Sequence, residues 1–436
     1  MSYMAVNVDV KRVAGNIIWW GGVIGLLFLS QARIELFLSL LQGTWLRNLI
    51  PADFLAKDAM LIANVITPVR GILLQFSLII LFYPVFQSVR YSKTIQASPN
   101  KLKLIFSTLL LFLILCIIFE PGRIGGLAQE YSNSSNVMFT RGSTVNLYRR
   151  FLMPALANIL FFRGDLFFLI FSFLCVLVML YALQFWFEAN QVQVSLWQLV
   201  SLGTISFIFF QIQAPGYPDV LVNIFILLAF ILAADTRTKL SLFVLSLAAH
   251  EGSLIIWFAL ALSLFVSKEF IPFLVIGGIY LFLLFSLDGG VGAVMSAREF
   301  GGTSNVSLVL NNPVREIVGI FFSFKALWAV VIGAIVHLTS KKEFKEGFYI
   351  VLILAGGFML TFLGVDISRL FGWAFMAVLI SWKLMEAAGG QWKKLLHIAL
   401  IINILIPSYH VYMYGEPQIA PGLYEQIFNL LSNFLQ

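Results

Sequence analysis

Residues 240–266 read LSLFVLSLAAHEGSLIIWFALALSLFV, an apolar run that is interrupted by His250 and Glu251. The run is long enough to cross a bilayer, because about twenty apolar residues in a helix span the hydrocarbon core. An ionisable pair at that depth is costly, so it belongs either to a functional site or to a buried pair beside a wet cavity. Gly252 follows the pair, and we expect two short helices hinged there, a helical hairpin near residues 238–266.

The rest of the chain has the same apolar character. Of its 436 residues, 60% are hydrophobic and 11% are charged. A soluble domain has too little interior to bury that much apolar surface, and continuous apolar runs in lipid must form helices to pair their backbone groups. The sequence therefore predicts an all-α polytopic integral membrane protein, a single domain over residues 1–436 with about 11–13 transmembrane helices.

The predicted spans are apolar runs bounded by charged or turn residues. Besides the hairpin, they lie near residues 13–30, 71–90, 102–120, 165–187, 196–212, 218–234, 270–287, 314–338, 347–365, 370–387 and 394–412. Two further segments, 31–42 and 423–435, are amphipathic, and each either lies in the membrane interface or packs on neighbouring helices.

Short basic loops orient these spans, because Lys and Arg are enriched on the cytoplasmic side of membranes. The loops expected to be cytoplasmic are residues 11–12, 90–103, 237–239, 341–345 and 393–394. A single helix over 238–266 would put 341–345 on the opposite side, whereas the hairpin restores agreement. The longer connections, at about 31–70, 121–164 and 288–313, are then extracytoplasmic, with a cytoplasmic N-terminus and an extracytoplasmic C-terminus.

Several classes of function are disfavoured by the composition. The net charge of +7 does not indicate nucleic-acid binding, because Lys and Arg in such a chain mostly set membrane orientation. Cys116 and Cys175 lie in apolar runs and form no disulfide or metal-ligand pattern. The His250-Glu251 pair lacks the HExxH spacing of zinc hydrolases. We therefore expect no nucleic-acid partner, no metal and no cofactor.

The connection 121–164 is rich in arginine. It contains the candidate substrate-binding residues Arg123, Arg141, Arg149 and Arg150. Each guanidinium presents a planar fork that matches phosphate oxygens, so several at a membrane face suit a diphosphate head group. Alternatively, individual arginines extend to the membrane surface or pair with nearby carboxylates.

Acidic residues begin two of the predicted spans. Asp219 follows Tyr217 and either caps a helix start or has a role in a site. Asp366 and Arg369 are three residues apart, which places them on one helical face and allows them to pair. Glu251 or His250 could act as a general base, or they could be a satisfied buried histidine and a capping glutamate. Adjacent helical residues point about 100° apart, and we favour Glu251 as the one that faces a cavity.

The connection 288–313 is rich in glycine and carries Arg298, another candidate substrate-binding residue. It has no GxxxxGK[ST] or GxGxxG motif, so it is not a recognised phosphate-binding loop. We interpret it as an outer loop that could cover a substrate.

Four short motifs carry a resemblance to known enzymes. They are YRRFLMPALA at 148–157, Tyr217-Pro218-Asp219, Ala249-His250-Glu251 and Asp366-Ile367-Ser368-Arg369. In this combination the chain resembles the O-antigen-polymerase-like proteins and the GT-C-type bacterial membrane glycosyltransferases. The resemblance implies sugar transfer from a polyprenyl-linked donor at the outer face, with arginines on the diphosphate and a carboxylate or histidine assisting the acceptor hydroxyl. The first outer loop has only isolated acidic residues, so we expect a metal-independent reaction.

The leading hypothesis is therefore a glycosyltransferase or polymerase of the bacterial inner membrane, acting in cell-surface polysaccharide synthesis. The expected catalytic residues are Glu251, His250, Asp219 and Asp366. The expected substrate-binding residues are Arg123, Arg141, Arg149, Arg150, Tyr217, Arg298 and Arg369. The partners are a polyprenyl-diphosphate-linked glycan, membrane lipid and polysaccharide-assembly proteins. The alternatives are a transporter or flippase of a lipid-linked saccharide, because transporters also build sites at broken helices, and a non-catalytic scaffold subunit.

Overall fold

The computed structural model describes residues 10–29, 67–92, 101–136, 150–232, 236–264, 267–287, 299–300, 303–364, 366–413 and 415–435. Within these ranges the chain is mainly helical, which confirms the prediction of an all-α protein. The helices are α1 (Val10–Leu29), α2 (Thr67–Tyr91), α3 (Lys101–Ile118), α4 (Leu127–Asn136), α5 (Leu152–Ile159), α6 (Asp165–Ala189), α7 (Leu196–Gly203), α8 (Ser206–Gln213), α9 (Asp219–Ile231), α10 (Thr236–Ala249), α11 (Ser253–Leu264), α12 (Ser267–Leu287), α13 (Asn305–Asn311), α14 (Pro313–Phe324), α15 (Trp328–Ser340), α16 (Phe344–Thr361), α17 (Ile367–Phe371), α18 (Phe375–Ala388), α19 (Gly390–Leu405) and α20 (Leu423–Leu435).

Short 3₁₀ turns and two small hairpins complete the described fold. The 3₁₀ turns are Lys325–Leu327 and Gly372–Ala374. Strands β1 (Glu299–Phe300) and β2 (Thr303–Ser304) pair antiparallel, as do β3 (Tyr409–His410) and β4 (Gln418–Ile419). The connections 121–164 and 288–313 are thus not loops throughout, since they contain α4, α5 and α13.

Membrane-spanning segments account for much of the helix. Among the described residues, six helical segments are long and apolar enough to cross a membrane, or seven if the pair α7 and α8, bent by 74°, is one span. They are Val69–Tyr91, Lys101–Ile118, Asp165–Ala189, Pro313–Ser340, Phe344–Thr361 and Ile367–Ala388. The chain is therefore a multi-pass membrane protein. The other predicted spans are helical too, and some of their helices are shorter, as in Asp219–Ile231.

The predicted hairpin forms. Helices α10 and α11 contact each other and are separated by residues 250–252, so the hinge at Gly252 is confirmed. A methyl group at Gly252 would lie 3.2 Å from His250 Nδ1 and 3.2 Å from Leu360, so the turn is closely packed. Two predicted spans are corrected: 196–212 is bent between α7 and α8, and 394–412 ends as a helix at Leu405 because Pro407 lacks the N–H that a helix needs.

The helices divide into an interior and a periphery. In α9 nearly every side chain is buried. Of the 18 most apolar consecutive residues in Ile367–Ala388, 72% are buried, whereas in Lys101–Ile118 only 17% of the residues are buried. The exposed residues of the peripheral helices are large and apolar, among them Ile79, Phe106 and Ile117. A surface of that kind is stable against lipid and not against water.

A buried lysine ties three interruptions of the helices together. Lys325 lies at the 3₁₀ turn between α14 and α15 and is fully buried. Its Nζ donates to Thr204 Oγ1 (2.8 Å), at the bend between α7 and α8, and to Ile406 O (2.9 Å) and Ser408 Oγ (3.2 Å), after α19. The two hydroxyl hydrogens are donated elsewhere, to Ser201 O and Thr204 O. Both hydroxyl oxygens therefore act as acceptors toward Nζ.

Candidate functional site

Four helix starts meet at one place inside the described part of the molecule. Arg150 lies just before α5, Asp219 is the first residue of α9, Glu251 comes just before α11, and Asp366 is the N-cap of α17. Arg150 pairs with Glu251, and Arg369 lies between Asp219 and Asp366; the two groups are near enough for Arg150 to interact electrostatically with Asp219. Helix N-termini present free N–H groups and a partial positive charge, which stabilise the carboxylates that lie there.

Arg150 and Glu251 form the tightest pair of the cluster. Arg150 Nε donates to Glu251 Oε2 at 2.8 Å and Nη2 donates to Oε1 at 2.7 Å, so the guanidinium and carboxylate are joined in the bidentate geometry. The Arg150 side chain is 14% exposed and that of Glu251 is 6% exposed. The pair fixes the hinge between α10 and α11 to the segment that precedes α5.

His250 lies beside this ion pair but forms no hydrogen bond with it. Its Nδ1 accepts the Gly252 N–H at 3.0 Å, and its ring meets Trp373 edge to face at 4.8 Å. Nδ1 therefore carries no proton, so the imidazole is neutral and its 3.6 Å approach to Glu251 is not a salt bridge. The Nε2–H is buried and has no hydrogen-bond partner among the described residues. The interpretation of His250 as a buried histidine with satisfied hydrogen bonds therefore fits Nδ1. It does not fit Nε2, whose N–H has no partner among the described residues.

Arg369 is held more loosely, between two carboxylates. Its Nε lies 3.5 Å from Asp219 Oδ1 and 3.5 Å from Asp366 Oδ2, distances too long for well-formed hydrogen bonds. Neither oxygen of Asp219 accepts a hydrogen bond from the described part of the chain, although the residue is fully buried. Asp366 Oδ1 accepts from the Arg369 N–H at 3.3 Å, so it caps α17 as well. The capping alternative therefore fits Asp366 and not Asp219.

Aromatic rings surround Arg369. The guanidinium carbon lies 5.0 Å from the centre of the Phe210 ring and 5.1 Å from that of Tyr217. These rings meet edge to face at 5.3 Å, which gives the site a wall suited to cations and to the apolar faces of sugars. Tyr217, a candidate substrate-binding residue, thus lies beside Arg369.

Sequence reasoning missed three further residues at the site. His410 lies beside Phe210 (5.2 Å between rings), and its Nε2 contacts Gln213 Oε1 at 3.0 Å. Trp373 contacts His250. Tyr131, on α4, is almost completely buried near Arg150, although its hydroxyl has no well-aligned hydrogen bond to a described residue. Burial raises the pKa of this hydroxyl to about 12, so it remains protonated. In a chain with so many aromatic residues, the sequence around a single tyrosine, tryptophan or histidine does not indicate that the residue lies at the site.

The charge of the cluster is close to balanced. Two arginines, Arg150 and Arg369, face the carboxylates of Asp219, Glu251 and Asp366. Burial raises the pKa of Asp366 to about 6, with the neighbouring Arg369 acting in the opposite direction. Binding of an anion would thus require Arg369 to leave its carboxylates, whereas protonation of Asp366 would make that release easier.

The remaining predicted site residues are placed as follows. Arg123 is exposed, on a segment whose Gly122 packs closely against the carbonyl of Gln213. Arg141, Arg149 and Arg298 lie outside the described residues. Within the described ranges, no three His, Cys, Asp or Glu side chains are grouped so as to hold a metal ion.

Comparison with known proteins identifies no relative of this chain. No protein-family model, no curated protein and no solved structure matches this chain. The resemblance carried by the four short motifs therefore stays an expectation.

Proposed function

We propose that the chain is a glycosyltransferase or polymerase that acts on a polyprenyl-diphosphate-linked saccharide at the extracytoplasmic face of a bacterial inner membrane, in the synthesis of a cell-surface polysaccharide. The observation that carries this proposal is the joining of Arg369, Asp219 and Asp366 beside Tyr217 and Phe210, at helix N-termini. This arrangement offers a cation for a diphosphate, a carboxylate for a hydroxyl, and rings for a sugar.

Basic residues at the opposite ends of the helices around the cluster support its proposed position at the outer face of the membrane. Helix α9 runs from Asp219 toward the basic residues 237–239, and α10 returns from them to the hinge. Helix α16 starts beside the basic residues 341–345 and leads to Asp366. Because basic loops are cytoplasmic in most membrane proteins, the cluster belongs at the outer face, with the N-terminus cytoplasmic and the C-terminus extracytoplasmic.

The two arginines take different roles in this proposal. Arg150 is bound bidentately to Glu251, and breaking that pair would leave a buried charge, so it positions the hinge. Arg369 has only long contacts with its carboxylates, so it is the arginine that can turn to a diphosphate. Arg123, exposed on the connection before α4, stays a candidate for binding the diphosphate.

Asp219 is the proposed general base. When Arg369 turns to the diphosphate, Asp219 is freed to accept the proton of the acceptor hydroxyl. The acceptor oxygen then forms a bond to the anomeric carbon, and the bond from that carbon to the diphosphate oxygen breaks. The electron pair leaves with the polyprenyl diphosphate, whose charge Arg369 and the helix N-termini stabilise. The free Nε2–H of His250 is a further donor for a sugar oxygen.

A transporter or flippase of the same lipid-linked saccharide is the second candidate. It is favoured by the position of the cluster at interrupted helices, since the breaks between α10 and α11 and between α16 and α17 both contribute to it. Transporters build their sites at such breaks. A scaffold subunit is disfavoured, because it has no use for the buried carboxylate of Asp219, which accepts no hydrogen bond from the described residues.

The test compares Asp219→Asn with Lys341→Gln, an exposed basic residue away from the cluster. If the chain transfers sugars, lipid-linked donor should accumulate on the outer leaflet of cells that carry Asp219→Asn. It should not accumulate in cells that carry Lys341→Gln. Accumulation on the inner leaflet would instead identify a flippase. Normal polymer from a folded Asp219→Asn variant would contradict both candidates.

A further inference from the structure

Helix α20, at residues 423–435, has an apolar face and a polar face. At roughly 100° per residue, its large apolar side chains up to residue 433 fall within an arc of about 160°. This apolar face carries Leu423, Ile427, Phe428, Leu430 and Leu431. The remaining arc carries Glu425, Gln426, Asn429, Ser432 and Asn433. The two sets of residues do not overlap around the helix axis.

The first turn attaches α20 to the rest of the described chain. Tyr424 is half-buried, its hydroxyl donates to Ile404 O at 2.7 Å, and its ring lies 5.7 Å from that of Phe119. Every side chain of residues 425–431 is exposed. The apolar face therefore does not pack on neighbouring helices in the part of the chain that the structure describes, which leaves the membrane interface as the other possibility for this segment.

Both attachment points lie at the ends of helices that expose apolar residues. A methyl group at Gly422 would lie 2.5 Å from Ile118 O, so the turn before α20 lies directly on the end of α3. Next to the two contacts, Ile117 is 71% exposed and Leu405 is 72% exposed. Large apolar residues exposed on the helices of a multi-pass protein face lipid. The lipid-facing surface of α3 and α19 thus continues onto α20.

The size of the apolar face favours lipid over a second copy of the chain. A helix of 13 residues is about 20 Å long and roughly 10 Å wide, so one face covers about 200 Å². A stable interface between proteins buries about 800 Å² on each partner, several times this area. A bilayer has no such minimum, because each apolar side chain that leaves water contributes to binding by itself.

The charge of α20 indicates which force holds it in lipid. The helix has one acidic residue, Glu425, and no Lys or Arg. In-plane helices that depend on anionic lipids carry basic residues on their polar face. Attachment of α20 therefore depends on burial of its apolar face and not on attraction to charged head groups.

The helix begins at the end of the molecule that carries the candidate site. Gln213 contacts His410 through Oε1 at 3.0 Å, and its Nε2 donates to Pro421 O at 3.3 Å, just before α20. The His410 ring lies 5.2 Å from that of Phe210, which contacts Arg369. The start of α20 and the cluster of charges are thus linked through side chains that contact one another.

We propose that α20 is an in-plane membrane helix. Its apolar face is embedded in the leaflet on the side of the candidate site, its occupant is bilayer lipid without regard to head-group charge, and its polar face meets water. The helix then fixes the height of the cluster relative to the membrane surface, through the contacts of Gly422 and Tyr424. This inference is independent of the sugar chemistry proposed above.

The test measures the depth of nitroxide labels by electron paramagnetic resonance, with the full chain reconstituted in phosphatidylcholine bilayers. The two native cysteines are removed by Cys116→Ala and Cys175→Ala, and a label is attached after Ile427→Cys, Leu431→Cys or Asn429→Cys. Collisions with oxygen, which enters lipid, are compared with collisions with a water-soluble nickel complex. We expect labels at 427 and 431 to lie about 10 Å deeper than the label at 429, since the two faces of a helix are that far apart.

Two labelled positions calibrate the measurement. Leu113→Cys, at an exposed position of α3, is the control for hydrocarbon, and its lipid exposure also shows that the chain without native cysteines is inserted. Lys341→Cys, at an exposed position between α15 and α16, is the control for water.

Equal access of the nickel complex to all three labels on α20 would place the helix in water and overturn the proposal. Protection of the labels at 427 and 431 from both reagents, with spin–spin broadening that disappears on dilution with unlabelled chain, would identify a second copy and also overturn it. Replacing part of the lipid by phosphatidylglycerol should leave the depths unchanged, because α20 has no basic residue. Insertion only in the presence of the anionic lipid would refute attachment by the apolar face.

Discussion

Removing Arg150 provides the sharpest test of the candidate site. In Arg150→Met, Glu251 loses both hydrogen bonds of a bidentate pair while its side chain remains 6% exposed. Breaking a buried ion pair from one side costs about 3–5 kcal/mol, because the remaining charge stays desolvated. The Arg150 side chain is itself 14% exposed, so some water can reach the position. We therefore expect a loss of about 3 kcal/mol in the free energy of unfolding, the lower end of that range.

The measurement is reversible unfolding of the purified protein in mixed micelles, with increasing SDS. The double variant with Glu251→Met as well should be more stable than Arg150→Met by about 2 kcal/mol, because no buried charge is left without its partner. Lys393→Met is the control, since Lys393 pairs with Glu386 at the surface and its side chain is 46% exposed. That change should cost at most about 1 kcal/mol. A cost for Arg150→Met no greater than that for Lys393→Met, or simple additivity of the two changes at the buried pair, would show that Arg150 and Glu251 do not form a stabilising buried pair.

Two further predictions concern other buried charges. Burial raises the pKa of Asp366 from 3.8 to about 6, so the folded protein binds this proton more tightly than the unfolded chain. The stability of the protein should therefore fall as the pH rises from about 4 to 6. Asp366→Asn should reduce this dependence of Tm on pH, and an unchanged dependence would assign it to other groups. Lys325→Met leaves three oxygen acceptors without their donor and should cost at least about 2 kcal/mol in the same SDS titration, whereas Lys341→Met, at an exposed site, should cost almost nothing. Equal stability of these two lysine variants would show that the ammonium does not hold the helix breaks together.

The loose contacts of Arg369 explain how one cluster can be stable and still bind a ligand. An arginine bound bidentately, as Arg150 is, would have to give up two short hydrogen bonds before it met a phosphate. Arg369 has only 3.5 Å contacts with its two carboxylates and keeps its ring contacts with Phe210 and Tyr217. The site thus separates a positioning pair from a binding arginine, although both belong to one group of charges.

The amino-acid sequence was sufficient to predict the class of the protein and the hinge at Gly252. Composition required lipid around most of the chain, because 60% hydrophobic residues exceed what a soluble interior can bury. The pair His250-Glu251 followed by Gly252 indicated the hinge, since a charge and a flexible residue both disfavour continuation of a helix in lipid. These are local effects, decided by residues next to each other in the chain.

Tertiary structure alone decided which of these charges meet. Arg150 and Glu251 are 101 residues apart, and the Arg369 contact with Asp219 crosses from α17 to α9. No periodicity records such a distance, because pairing depends on how the helices pack and not on the spacing of residues along one of them. For the same reason Lys325 looks in sequence like one more basic residue near a span. Only the fold places it among three oxygen atoms from two other interruptions, where burial makes each hydrogen bond necessary.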